Sequence, residues 1–156
     1  MTTVVTEPRT CSIARTLDLV GEKWALLAVR EVFLGNHRFD EMVRRIGAPR
    51  DTLTARLRTL VAAGIFERRQ YSEHPARFEY HLTDAGRDLY PVIMSLMHWG
   101  DQYLAGEDGP PRVFEHHCGH RLETQLVCRA CGEPLRHGDS KPLAARDENG
   151  RTGERW

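Results

Sequence analysis

Lysine is nearly missing from this chain: only Lys23 and Lys141 are lysines, and the remaining basic residues of its 22 are arginines. Arginine is the better side chain for bidentate contact with phosphate or guanine, although codon usage gives the same bias. Net charge is missing too. The 22 basic residues are matched by 22 acidic ones, so no global basic field argues for a polyanionic partner, and such an argument has to rest on local clustering. No stretch approaches the roughly 18 apolar residues of a membrane span. "MTTVVTEPRTCS" carries no basic segment followed by an apolar run, so a soluble, cytosolic protein without a membrane partner is expected. There is no HExxH pair, no glycine-rich phosphate loop and no nucleophile elbow, which argues against the commonest hydrolytic and nucleotide-dependent chemistries. No internal repeat is found.

What is present reads as one main domain with a small appendage. The 156 residues, 40% hydrophobic and 28% charged, suffice for one modest core. "CSIARTLDLVGEKWALLAVREVFLG" has a helical pattern broken at Gly21, with Trp24, Leu27, Ala28 and Leu34 on its apolar face. Phe39, Met42, Val43 and Ile46 then mark a short amphipathic helix closed by Gly47. Leu53, Leu57, Leu60 and Val61 mark another, ending near Gly64. The "GAPR" turn between them makes a helix-turn-helix. The period then changes to that of strands in "GIFERRQYS" and "RFEYHLT", with Pro75 marking the turn. A helix-turn-helix followed by a hairpin is a winged helix. A long helix is expected from a Thr83 cap, kinked at Pro91, with Leu89, Ile93, Leu96, Trp99 and Tyr103 on its apolar side. The predicted class is mainly α (α+β). It comprises a winged helix-turn-helix with a two-stranded wing and a long C-terminal helix over residues 1–104, a linker at 105–112, a cysteine-rich segment at 113–137, and a tail at 138–156 expected to be disordered.

On the second helix of the pair, Asp51, Thr52, Ala55, Arg58 and Thr59 point away from the four core positions, and Thr54 and Arg56 flank them. A recognition helix offers such a face to base edges and phosphates, and Arg50, Thr52, Thr54, Arg56 and Arg58 have suitable donors. A solvated helix face is the bland alternative. Local charge favours the DNA reading: residues 37–77 hold nine arginines, Arg38 among them, against five acids. His74 and Arg77 flank the wing tip, where a minor-groove or phosphate contact is expected.

At this point "CSIARTLDLVGEKWALLAVREVFLGNHRFDEMVRRIG", "LTARLRTLVAAGIFERRQYSEHPARFEYHLTDAGRDL" and the tryptophan of "MHW" resemble the HxlR family of bacterial transcription regulators, over about residues 11 to 104. The resemblance implies a homodimer that binds double-stranded operator DNA, often near its own gene, and usually represses. It places the dimer interface on the N-terminal helices and the long C-terminal helix. A two-fold dimer reads a pseudo-palindrome with half-sites about one helical turn apart, or a multiple of that. Cytoplasmic, nucleoid-associated localisation follows. A cysteine at the place of Cys11 serves some members as a sensor of oxidants or electrophiles. A helix N-terminus with Arg9 and Arg15 nearby suits a thiolate, whereas a small residue buried at the dimer interface is the plain alternative. A small-molecule or redox effector is thus expected.

"HHCGHRLETQLVCRACGEPLRH" holds the other three cysteines. Cys128-x-x-Cys131-Gly132 has the spacing of a zinc knuckle, and Cys118-Gly119 looks like half of a second one. A structural zinc ion on Cys118, Cys128, Cys131 and a fourth ligand is expected. The fourth is His116, with His117, His120 and Glu115 as alternatives. A Cys128–Cys131 disulfide and a metal-free segment are the competing readings. An enzyme is disfavoured, because four protein ligands close a zinc site and the zinc-deaminase pattern fails: "HRLE" has the wrong spacing and Val127 precedes Cys128. A winged-helix protein–protein adaptor is the remaining alternative.

Overall fold

The computed structural model describes residues 11–141, together with the backbone of two short strands further on. The chain forms two units, Met1–Ile93 and Met94–Trp156.

In the first unit, α1 (Ser12–Val20) stops at Gly21, the break expected from the sequence, and α2 (Lys23–Phe33) follows. Ala25, Ala28, Val29 and Val32 form the buried stripe of α2, at helical spacing. Of the expected face, Ala28 is buried, whereas Trp24, Leu27 and Leu34 are half-buried at its edges. Small Ala25 and Ala28, fully buried, let neighbouring helices approach closely. Glu31, only 2% exposed, is the one buried charged residue among those described. It accepts from Arg30 Nη2 at 2.6 Å and from Asn36 Nδ2 at 2.7 Å, which meets the requirement that a buried charge be paired.

Helix α3 (Phe39–Ile46) ends at Gly47 with φ 72°, a left-handed C-cap suited to glycine. Buried Ala48 and exposed Pro49 complete the turn into α4 (Arg50–Ala62). Met42 from α3 and Leu53, Leu57 and Leu60 from α4 are fully buried, and α2 packs against both helices. Strands β1 (Phe66–Glu73) and β2 (Ala76–Leu82) form an antiparallel hairpin, the wing. Its register slips between Gln70 and Ser72, leaving Tyr71 as the extra residue of a bulge. At the base, Arg38 adds a single antiparallel bridge to Glu79, and Tyr80 N donates to His37 O at 2.9 Å.

Thr83 caps a helix as expected, its hydroxyl accepting from Gly86 N at 3.1 Å, but the helix is only α5 (Asp84–Arg87). The long helix α6 (Tyr90–Tyr103) starts afresh, so one helix kinked at Pro91 is not what forms. Pro91 lies in the first turn, where a missing N–H costs nothing. Gly86 inside α5 is buried, and a Cβ there would lie 2.3 Å from Ile65 O and 2.9 Å from Leu82 Cδ2, so no side chain fits at this position. On α6, Ile93 and Met94 are buried, while Val92, Leu96, Trp99 and Tyr103 form an exposed stripe.

In the second unit, residues 113–137 form two tight turns held by isolated bridges, Glu115 with Arg121 and Val127 with Pro134. Ala145–Arg146 pairs antiparallel with Thr152–Gly153, a pairing the sequence reading did not anticipate. The rest of the tail beyond residue 141, for which disorder was expected, lies outside the described residues. Among the described residues no helix is long and apolar enough to cross a membrane.

Candidate functional site

The helix-turn-helix and wing bring most of the arginine excess together, but most of those arginines are already engaged. Arg38 Nε donates to Glu79 Oε1 at 3.0 Å, and its guanidinium lies 4.5 Å from the Tyr71 ring centroid. That hydrogen bond, assisted by His81, holds the Glu79 carboxyl below the ordinary glutamate range and raises the Arg38 pKa further. Arg44 and Arg45 both reach Glu41 within α3. Arg50 pairs with Asp40 at 2.8 Å and sits over Phe39, tying the start of α4 to α3. Arg68 stacks on Phe78 at 3.4 Å, and Arg69 pairs with Glu67.

Arg56 differs in kind. Its side chain is 34% exposed, its nearest acidic partner is Glu22 at 3.7 Å, and its buried Nε has no hydrogen-bond partner. It flanks the buried side of α4 and points toward the corner between α1 and α2.

Two arginines of the basic region have no ion-pair or hydrogen-bond partner among the described residues. Arg58 is exposed on the outer face of α4, the side of Asp51 and Ala55. Arg77 is exposed on β2 beside the wing tip, opposite Ser72. His74, exposed, forms the tip with Pro75. Thr52 and Thr54 are half-buried on either flank of α4. The outer face of α4 thus offers Arg58, without a partner among the described residues, and short side chains on either side of it. The partners of Arg38, Arg50 and Arg56 lie elsewhere in the chain, so their engagement is not legible from a helical wheel.

Cys11 is exposed and occupies the N-cap of α1, its carbonyl accepting from Arg15 N at 3.0 Å. Cys118, Cys128 and Cys131 are exposed free thiols, so no Cys128–Cys131 disulfide forms in this structure. His116 Nδ1 lies 3.2 Å from Cys118 Sγ. Hydrogen bonds from the Cys131 backbone, then the Ala130 backbone and the Cys131 thiol, lower the Cys128 thiol below its ordinary value. Among the described residues, no three histidine, cysteine, aspartate or glutamate side chains gather into one metal-binding cluster.

Comparison with known proteins agrees with this architecture. The profile of HxlR-like helix-turn-helix proteins matches residues 19–108. An uncharacterized HTH-type transcriptional regulator of Mycobacterium tuberculosis strain H37Rv is 50% identical over 125 residues, covering 80% of this chain and 79% of that protein. The crystal structure of PA1607, assigned as a transcription factor, superposes with a TM-score of 0.75 at 34% identity, over 88% of this chain and 96% of the other. The redox regulator HypR in its reduced form superposes with a TM-score of 0.56 at 34% identity, over 59% of this chain and 92% of its own.

Proposed function

Because the chain belongs to the HxlR-like helix-turn-helix family, whose members are DNA-binding transcription regulators and not enzymes, we propose that it is a homodimeric repressor of a pseudo-palindromic operator. In this reading α4 enters the major groove, with Arg58, Thr52 and Thr54 toward bases and phosphates. Arg77 and His74 at the wing tip contact the flanking groove or its phosphates. The observation that carries the reading is the sorting of the arginines: Arg58 and Arg77 are left without partners on the two elements that face DNA in a winged helix. Arg38, Arg50 and Arg56, also candidates from the sequence, act chiefly by holding the wing base, the turn and the helix corner in place, with Arg50 at the start of α4 still within reach of a phosphate.

Dimerisation is supported by two apolar surfaces. Ile13 and Leu17 are exposed on α1. Val92, Leu96, Trp99 and Tyr103 follow one another at i, i+4, i+7 and i+11 on α6, with Trp99 56% and Tyr103 62% exposed. Such a stripe marks an association surface.

The test is a mobility shift on the DNA upstream of the chain's own gene, at two salt concentrations with excess competitor. A specific, salt-sensitive shift supports the proposal. Its absence from a folded dimer, repeated in a genome-wide selection of bound DNA, favours the adaptor reading, because an adaptor releases no phosphate counterions.

Cys11 supports an oxidant-responsive version of this reading. It is an exposed thiol at a helix N-terminus, where thiolates are stabilised. A Cys11→Ser protein is expected to keep its operator when treated with diamide or a quinone, while the parent releases it. Equal release from both removes Cys11 as the sensor.

A further inference from the structure

We propose that the second unit holds one structural zinc ion between two turns that the chain builds twice, on Cys118, Cys128, Cys131 and His116. The two turns correspond bond for bond. In the second, Cys128 N donates to Glu133 O at 2.8 Å, Gly132 N to Cys128 O at 2.7 Å and Leu135 N to Leu126 O at 2.8 Å. In the first, His116 N donates to His120 O at 2.9 Å, Gly119 N to His116 O at 2.8 Å and Leu122 N to Phe114 O at 2.7 Å. Each turn closes on a glycine with positive φ, 84° at Gly119 and 75° at Gly132. The bridges align as well: Glu115 with Arg121 matches Val127 with Pro134.

This correspondence selects the fourth ligand. Cys118 and Cys131 each precede their glycine. Counting back from the glycine in the sequence leads to Glu115, but the first turn is one residue shorter than the second. His116 therefore stands where Cys128 stands, and Glu115 takes the strand position of Val127. His120 falls beyond the glycine, at the place of Glu133, and its Nδ1 lies 3.2 Å from Cys118 O. His117 is at the loop tip. His116 Nδ1 is already 3.2 Å from Cys118 Sγ, so imidazole and thiol approach one another within the turn.

Three thiolates and an imidazole suit tetrahedral zinc and leave no open coordination position. Apart from these backbone hydrogen bonds, the segment builds no buried core of its own among the described residues. None of residues 113–137 is buried, and Val113, Leu126, Val127 and Leu135 are exposed. A module this small without a core requires a metal or comparable staple. The two pairs are not gathered into one cluster in the structure, so the ion has to draw them together. Among the described residues, 123–125 between the turns make no backbone–backbone hydrogen bond that would resist this.

The experiment is independent of DNA binding: zinc content of the purified, reduced full chain, followed by cobalt(II) substitution. One zinc per chain is expected, with tetrahedral ligand-field bands and thiolate-to-cobalt charge transfer. His116→Ala should weaken cobalt binding by at least the roughly 10–100-fold that even outer-shell changes cost. Glu115→Gln, His117→Ala and His120→Ala should leave it close to the parent. His116→Cys should retain the metal and strengthen the charge-transfer band, which shows that loss in His116→Ala is not misfolding. A folded parent that neither contains zinc nor gives the tetrahedral cobalt spectrum overturns the site. Normal binding by His116→Ala, with loss in His117→Ala or His120→Ala, overturns the choice of ligand.

Discussion

Replacing Arg58 by alanine isolates what the outer face of α4 contributes to DNA affinity. Arg58 is exposed and has no partner among the described residues, so its loss disturbs no intramolecular contact that would confuse the result. If each protomer uses Arg58 on one phosphate, a dimer loses two counterion-releasing contacts. The slope of log K against log salt should then become shallower by about 1.8, since each contact is worth about 0.9. The corresponding loss of affinity is about 30-fold at 0.15 M salt and about 200-fold at 0.05 M. Fluorescence anisotropy of a labelled operator duplex across that range measures both quantities. If Arg58 instead grips a guanine edge, the slope stays nearer the parent value and discrimination falls by about 1–3 kcal/mol at one base pair. Arg56→Ala is the control. It removes only a loose ion pair to Glu22 at 3.7 Å and a buried donor already without a partner. Stability should shift by about 1 kcal/mol or less, with the salt slope unchanged. Equal slope, affinity and sequence preference in Arg58→Ala and the parent would refute the recognition-helix assignment, and a flattened slope in Arg56→Ala alone would transfer the role to that residue.

Four further outcomes are expected. Trp99→Ala should weaken the dimer about 30-fold or more, the scale of a buried aromatic anchor, as read by sedimentation equilibrium; an unchanged constant would move the interface off α6. Glu31→Ala strands Arg30 and Asn36 and should cost about 2 kcal/mol, lowering the thermal midpoint by about 10 °C. Gly86→Ala forces a methyl against the Ile65 carbonyl and should cost about 1–3 kcal/mol in denaturant titrations, far more than an ordinary exposed helix substitution. The Glu79 carboxyl is held low by Arg38, so its contribution is complete above the ordinary glutamate value of 4.5 and is lost as pH falls through the depressed value. Glu79→Gln should therefore flatten the acid limb of the stability–pH curve, and an unaltered acid limb would count against the Arg38–Glu79 contact.

The helix-turn-helix and wing were legible because each carries its own period and punctuation: Met42, Leu53, Leu57 and Leu60 at helical spacing, Gly47 and Pro49 at the turn, and Phe78, Tyr80 and Leu82 at every second position after Pro75 in the hairpin. The inner face of α2 was legible in part, at Ala28, but it was centred on bulky Trp24 and Leu27, whereas close packing buries Ala25, Ala28, Val29 and Val32. The start at Thr83 was legible from its capping chemistry, but the stop after Arg87 left no signal that was read in the sequence. Pro91 was a sign of a helix beginning, not bending. The candidate interface was legible as a charge excess only. Which arginines are free depends on partners such as Glu22, Asp40 and Glu79, supplied by other elements. Buried Glu31 left no signal, since acids on a helix normally face water.

The bridge between Arg38 and Glu79 makes the hairpin a cantilever. It is clamped on the root side of the tip by a backbone pairing, an ion pair and the ring of the bulged Tyr71. The free end, His74 to Arg77, carries almost no structural duty: apart from its strand pairing, Pro75 O accepting from Ser72 Oγ is its sole hydrogen bond among the described residues. If His74 and Arg77 contact DNA as proposed, substitutions there should retune which flanking base pairs are preferred and leave the thermal midpoint unchanged. On that proposal the wing tip is the place to graft a new operator preference onto this scaffold.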